Sequence, residues 1–363
     1  MRIAQVAPPF ESVPPAQYGG TERVVSTLTE ELVRLGHDVT LFASGDSRTS
    51  ARLVPVVEHA LWHADPPYQD LVAFSVITLG KVARELDKFD LVHNHLDYLA
   101  YPLARLASCP VITTLHGRLD LPELGHVYRE FGDVQLVSIS NAQRQPVASA
   151  NWLATVYHGV PLEEFTFKPR PGRYLAFLGR ISPEKGLDTA IRVARQTGLP
   201  LRIAARKPLR LKGYPGVQAD WDHYRNDIKP LLERGQARLI GEVAGEEKNH
   251  FLGNAAALLF PIRWPEPFGL VMAEALACGT PVIALSDGSV PEVIEDGVTG
   301  FICSNEKEMV EAIGRLDQID RAHCRAEAER RFSPIAMARA YERVYANLLG
   351  KSATAPRRVA VPA

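Results

Sequence analysis

Two glutamates flanking seven residues, Glu266 and Glu274, lie where a loop restricted by Pro265 and Pro267 runs into the apolar pattern Phe268-Gly269-Leu270-Val271-Met272-Ala273. A carboxylate can accept two hydrogen bonds side by side, so each glutamate could grip a pair of vicinal hydroxyls, one on a sugar ring and one on a ribose. A helix is expected to open near Phe268. That would leave the amides of Gly269, Leu270 and Val271 without intrahelical acceptors and able to bind hydroxyls or phosphate oxygens. Met272-Ala273 and Ala275-Leu276-Ala277-Cys278 flank Glu274 on both sides. An exposed helix face is hard to reconcile with such flanks, and a buried, partnered carboxylate is expected instead.

A second group, Gly179-Arg180-Ile181-Ser182-Pro183-Glu184-Lys185-Gly186, puts two cations on a loop ahead of a helical pattern. A diphosphate needs fixed positive charge and free backbone amides, and a loop-to-helix junction supplies both. Two solvated surface cations near a turn are the bland alternative. Tyr18-Gly19-Gly20-Thr21 fits a phosphate loop or a tight turn equally well when taken alone. His93-Asn94-His95 and His116-Gly117 complete the conspicuous loops. Because side chains alternate along a strand, His93 and His95 are expected on opposite faces, which argues against a shared metal.

These loops need elements to position them. From Met1 to about Pro161, strand-length apolar runs (Ile3 to Ala7, Val39 to Ala43, Leu91 to Asn94, Val111 to Leu115, Leu136 to Ile139) alternate with helical patterns. The helix from about Gly20 stops at Leu35-Gly36. Glu163 to Gly172, with Pro169 and Pro171, resembles a linker, and the rhythm restarts at Tyr174 to Leu178, Leu201 to Ala204, Arg238 to Ile240, Ala257 to Phe260 and Val282 to Leu285. This is the pattern of two α/β domains with doubly wound parallel sheets. Residues 1–165 are expected to form the first and 166–333 the second. Helical patterns follow from about Glu306 and Pro334, and 351–363 reads as a disordered tail. The conspicuous residues all follow strands, on the edge where open parallel sheets bind ligands.

A chain of 363 residues exceeds one ordinary core, in line with two domains. A net charge of −1 leaves no basic excess for nucleic acid. The local run Arg202, Arg206, Lys207, Arg210 and Lys212 is read as a solvated face, with an anion or lipid-headgroup patch as the other reading. Cys109, Cys278, Cys303 and Cys324 lack metal or redox spacing and are read as small buried hydrophobes. No run is apolar enough to cross a bilayer and no signal peptide is visible, so a cytoplasmic protein is expected, with peripheral membrane contact left open.

Taken together, the Gly179-Arg180 and Lys185-Gly186 loop and the Glu266 to Glu274 element resemble the retaining glycosyltransferases of family 4, which have the GT-B fold of two facing Rossmann-like domains around a cleft. The similarity runs from Met1 to about Leu349. It implies that Arg180 and Lys185 hold the diphosphate of a nucleotide sugar and stabilise the leaving phosphate. Glu274 would bind the ribose hydroxyls, and Glu266, Phe268 and the amides around Gly269, Leu270 and Val271 would bind the sugar. His116 would sit beside the transferred sugar, Gly19-Gly20 would close over the phosphates, and Gly241 and Glu242 after Ile240 would line the base pocket. His116, Arg180, Lys185 and Glu266 are thereby the implied catalytic set, and Tyr18, Asn94 and His95 the acceptor-side candidates. The helix at 334–350 would return to pack on the first domain.

No cofactor or metal is expected, because the nucleotide sugar is a substrate. Asp220-Trp221-Asp222, the nearest match to the aspartate pair of metal-dependent transferases, is expected just before a helix rather than after a strand. The stretch Arg206 to Gly216 departs from the family, which tends to carry a short loop with an acidic segment there. The opening Ala7-Pro8-Pro9 through Arg23 resembles a bacterial subgroup described as pterin glucosyltransferases. Uridine-diphosphate hexose is the first expectation for the sugar donor and guanosine-diphosphate mannose the second. A nucleotide-sugar epimerase of the same fold and a non-catalytic sugar-nucleotide binder remain the rival readings.

Overall fold

The structure is a computed structural model describing residues 1–17, 19–65, 67–208 and 215–350. Tyr18, residues 209–214 with Arg210 and Lys212, and the tail 351–363 lie outside the described residues.

The first domain is built on β1 (Arg2–Val6), β2 (Asp38–Ser44), β3 (Arg52–Val57), β4 (Leu91–Asn94), β5 (Val111–Thr114), β6 (Gln135–Ser138) and β7 (Trp152–Thr155). They form one parallel sheet in the order β3-β2-β1-β4-β5-β6-β7, with Ile3 opposite both Val39 and Leu91. The second sheet has β8 (Leu175–Leu178), β9 (Leu201–Ala204), β10 (Ala237–Gly241), β11 (Ala257–Phe260), β12 (Val282–Leu285) and β13 (Gly300–Cys303), ordered β10-β9-β8-β11-β12-β13. Strand order reverses between β1 and β4 in one sheet and between β8 and β11 in the other. A crevice opens at such a switch point because successive crossovers leave on opposite faces.

Three strands escape the sequence reading, β3, β7 and β13, and each lies at a sheet edge. Edge positions need no continuous apolar run. Arg52–Val57 carries a proline, and Trp152–Thr155 is largely half-exposed. Asp220-Trp221-Asp222 lies inside the helix Pro215–His223 and not ahead of it, a correction to the sequence expectation.

Helix Gly20–Arg34 buries Val24, Val25, Leu28 and Leu32 on one face and is terminated by Gly36 at φ 86°. The last helix, Pro334–Leu348, starts at Ser333, whose hydroxyl accepts from the amide of Ala336 at 3.3 Å. Its face of Met337, Ala338, Tyr341, Val344 and Tyr345 shares one core with Ile3, Val24, Leu28, Leu91 and Ile112. The chain therefore returns to the first domain after completing the second. Burying each large aliphatic side chain is worth about 1.5–3 kcal/mol, so this helix is a substantial part of the first domain's core. Across the domains, the Glu292 carboxylate accepts from the amides of Asn141 at 2.8 Å and Ala142 at 2.7 Å and from the Tyr157 hydroxyl at 3.0 Å.

Candidate active site

In the second domain the loops at the switch point follow β8 and β11. The first, Gly179 to Gly186, ends at Gly186 with φ 68°, where a Cβ would fall 2.0 Å from the carbonyl oxygen of Pro261. Only glycine lets this loop lie against the chain leaving β11, and that approach brings Lys185 to Glu266. Lys185 Nζ donates to Glu266 Oε2 at 2.5 Å, and the Trp264 indole N–H donates to the same oxygen at 2.8 Å. Arg180 is half-exposed, donating to Glu184 at 2.8 Å with Asp220 at 3.8 Å. Arg118, from the first domain, reaches across the cleft to lie 5.5 Å from the centre of the Trp264 ring.

The helix Leu270–Ala277 begins later than the sequence suggests. Gly269 adopts φ 74°, so it caps the helix and the first helical residue is Leu270. A Cβ on Gly269 would lie 2.7 Å from Met272 Cε and 3.1 Å from Phe260. The amides of Leu270 and Val271 occupy the first turn, where no acceptor exists one turn earlier. Phe268 is a core residue, its ring packed against His158 and Phe332 and its carbonyl accepting from the buried Ser289 hydroxyl at 2.8 Å. A Cβ on Gly20 would lie 3.6 Å from Leu270 Cδ1, and Leu270 packs on the cluster that holds Val24 and Leu28, which brings the Gly19-Gly20 loop to this helix N-terminus.

Glu274 is buried and partnered, as the apolar flanks require. Lys248, also buried, donates to it at 2.6 Å. Nothing local in the sequence announces Lys248, since the pair depends on the packing of helix Gly245–Gly253 against Leu270–Ala277. A hollow of about 450 Å³ lies at the ends of β9 and β10, lined by Ala205, Arg206, Lys207, Leu239, Ile240, Gly241 and Glu242. Of the basic run, Arg202 lies over the Tyr174 ring at 4.2 Å while Arg206 and Lys207 are exposed.

The first domain presents imidazoles instead of charges. His93 and His95 do not point to opposite faces: their ring centres lie 4.1 Å apart. The strand ends at Asn94, and alternation ends with it, so His95 turns back beside His93. His95 Nδ1 lies 2.8 Å from His116 Nε2, and His116 stacks on His158 with centres 5.2 Å apart. Burial pushes all four histidines down, His116 to about 3. Neutral rings are therefore the resting state. Asn94 is fully enclosed, its amide nitrogen bonded to Asp97 O and Thr113 Oγ1 at 3.0 Å each and its oxygen to the Leu96 amide at 2.9 Å. Among the described residues no three His, Cys, Asp or Glu side chains gather as metal ligands.

Asp97 was not legible in the sequence. It is the described non-glycine residue with positive φ, 48°, and burial raises its carboxyl to about 6 while the His116 amide donates to it. Strain of this kind gathers where surroundings fix a conformation for use. Glu22, in the first turn of helix Gly20–Arg34, is likewise pushed up by burial, to about 7.

Residues 18–164 match the family described as Glycosyltransferase Family 4, and residues 163–331 match Glycosyl transferases group 1. The glycogen synthase of Mycobacterium tuberculosis is 28% identical over 358 residues, covering 84% of this chain and 82% of its own length. The sucrose-phosphate synthase of Thermosynechococcus elongatus superposes with a TM-score of 0.78 at 18% identity, covering 96% of this chain and 99% of that one. Anabaena HepE in complex with UDP-glucose superposes at 0.71 with 17% identity, covering 96% and 99%. No helix among the described residues is long and apolar enough to cross a membrane. The chain is a glycosyltransferase with a GT-B fold, made of a family 4 domain followed by a group 1 domain.

Proposed function

We propose that this glycosyltransferase moves a hexosyl residue from a nucleoside-diphosphate sugar to a hydroxyl acceptor, with retention at the anomeric carbon and without a metal ion. The observation that carries the reading is the meeting of Lys185 and Glu266 beside a glycine-capped helix N-terminus at one switch point, with Arg180 on the same loop as Lys185. The diphosphate would lie on Arg180, Lys185 and the Leu270 and Val271 amides. Glu274 would take the ribose hydroxyls, the hollow at Gly241 and Glu242 the base, and Glu266 the sugar. HepE was solved with UDP-glucose, which favours that sugar donor over GDP-mannose. All four cysteines are free, in keeping with a reducing compartment such as the cytoplasm.

The bond from the anomeric carbon to the phosphate oxygen breaks, and its electron pair goes to that oxygen. Arg180 and Lys185 stabilise the growing charge, the term that preorganised cations supply best in a partly dried cleft. The acceptor oxygen bonds to the anomeric carbon on the vacated face, and its proton passes to the leaving phosphate oxygen. His116 is neutral at physiological pH and serves here as a hydrogen-bonding group only.

The test is incubation with UDP-glucose and with GDP-mannose, with and without a panel of hydroxyl acceptors that includes a pterin, read by NMR of the anomeric proton. Transfer, or slow hydrolysis, with the donor's anomeric configuration retained is expected. Inversion would overturn the front-face route, an epimeric nucleotide sugar would identify an epimerase, and binding without chemistry would leave a binding protein.

A further inference from the structure

The strand β1 sends Gln5 into the buried histidine group, where its amide oxygen lies 2.8 Å from His95 Nε2. An amide oxygen only accepts, so His95 carries its proton on Nε2. In a neutral ring the other nitrogen is then a lone pair, and His95 Nδ1 accepts from His116 Nε2 at 2.8 Å. The same logic leaves His116 Nδ1 without a proton. That atom is buried and has no hydrogen-bond partner among the described residues.

The other end of Gln5 is held by the last helix. Its amide nitrogen is 3.4 Å from the Tyr345 hydroxyl, which lies 2.7 Å from His93 Nδ1. His93 Nε2 continues to Thr114 Oγ1 at 2.7 Å, and Thr114 to the Tyr341 hydroxyl at 2.8 Å. Turning the Gln5 amide round would reverse every proton along this path. His116 would then bury an unpartnered N–H, which proteins tolerate less well than an unpartnered lone pair. Stacking against His158, with planes 19° apart, fixes the rotation of the His116 ring.

We propose that Gln5 and His95 are positioning residues, held from the C-terminal helix by Tyr345, that fix His116 as the Nε2-protonated tautomer with its Nδ1 lone pair ready to accept from a substrate hydroxyl. The hydroxyl partner rests on the transferase reading above; the tautomer does not. A ligand hydroxyl would satisfy an atom that burial otherwise leaves unpaired. No charge enters or leaves the first domain's side of the cleft.

Imidazole nitrogen NMR of the full chain, labelled at histidine and assigned through single histidine variants, reads the tautomers directly. His95 and His116 are expected with Nδ1 unprotonated and Nε2 protonated. Gln5→Leu should release this preference and lower kcat about tenfold, the loss of one well-placed hydrogen bond, with little change in KM. Gln5→Glu, which keeps an acceptor toward His95, should restore most of both. Tyr345→Phe provides a second perturbation, expected to mix the tautomers with circular dichroism unchanged. A protonated Nδ1 on His116 in the unaltered protein would overturn the relay, as would Gln5→Leu with tautomers and kcat unmoved. Intact tautomers in a protein that transfers no sugar would count against the transferase reading instead.

Discussion

The two sides of the cleft solve the same packing problem in opposite electrical terms. On the group 1 side, charges come in close pairs, Lys185 with Glu266, Arg180 with Glu184 and Lys248 with Glu274. On the family 4 side, buried imidazoles, hydroxyls and an amide satisfy one another with no net charge. A diphosphate is best met by fixed cations, whereas a sugar hydroxyl is best met by neutral acceptors that water cannot reach. The difference teaches where the substrate's own charge must lie.

The strongest way to break this contrast is to remove a buried cation. Lys248→Met leaves Glu274 charged and unpaired, and should cost about 3–5 kcal/mol of stability in urea denaturation. Combining it with Glu274→Leu should recover most of that, because two apolar side chains replace the pair. A single variant as stable as the parent would mean that the pair is not held in a dry interior.

Next in size is turnover. Lys185→Ala and Arg180→Ala should each lower kcat about a hundredfold, while KM for the nucleotide sugar moves less, since the leaving phosphate gains charge as the bond breaks. Steady-state kinetics decide it. A rise in KM alone would make these residues capture groups only.

Glu22 sharpens the contrast from the neutral side. Its carboxyl is raised from 4.5 to about 7, so it titrates above the range of an unfolded glutamate. Its contribution to folded stability should then be fully present below about 4.5 and be lost as pH rises through 7, where the buried group must ionise. Glu22→Gln should remove that slope, leaving the variant more stable at pH 8 by roughly 2–3 kcal/mol and equal at pH 4.5. Parallel curves for the two proteins would show that Glu22 is well solvated.

The smallest expected effect is none. Exhaustive dialysis against a strong chelator should leave transfer unchanged, because the cationic side chains neutralise the diphosphate. Activity lost and restored only by a divalent ion would end the metal-free reading.

How far the sequence could be read follows from what each residue depends on. Leu175–Leu178, Ala257–Phe260 and Val282–Leu285 are plain as strands because interior strands of a parallel sheet are covered on both faces and carry unbroken apolar runs. Edge strands such as Arg52–Val57 lack that signature. The charged loops at Arg180, Lys185 and Glu266 are visible because glycine and proline mark them. His95 misleads, since the rule of alternation holds only while the strand lasts. Lys248, Asp97 and Glu292 depend on approaches between segments far apart in the chain, which no local pattern encodes.

The helix Pro334–Leu348 also bears on how the protein is made. During synthesis the first domain emerges with Ile3, Leu91, Ile112 and the inner face of Gly20–Arg34 uncovered, and the residues that cover them follow the whole second sheet. The domains therefore cannot mature strictly one after the other. A nascent chain stalled at the linker would present a bare apolar face to chaperones, and emergence of the helix Pro334–Leu348, rather than completion of the second sheet, would be the moment the first domain closes.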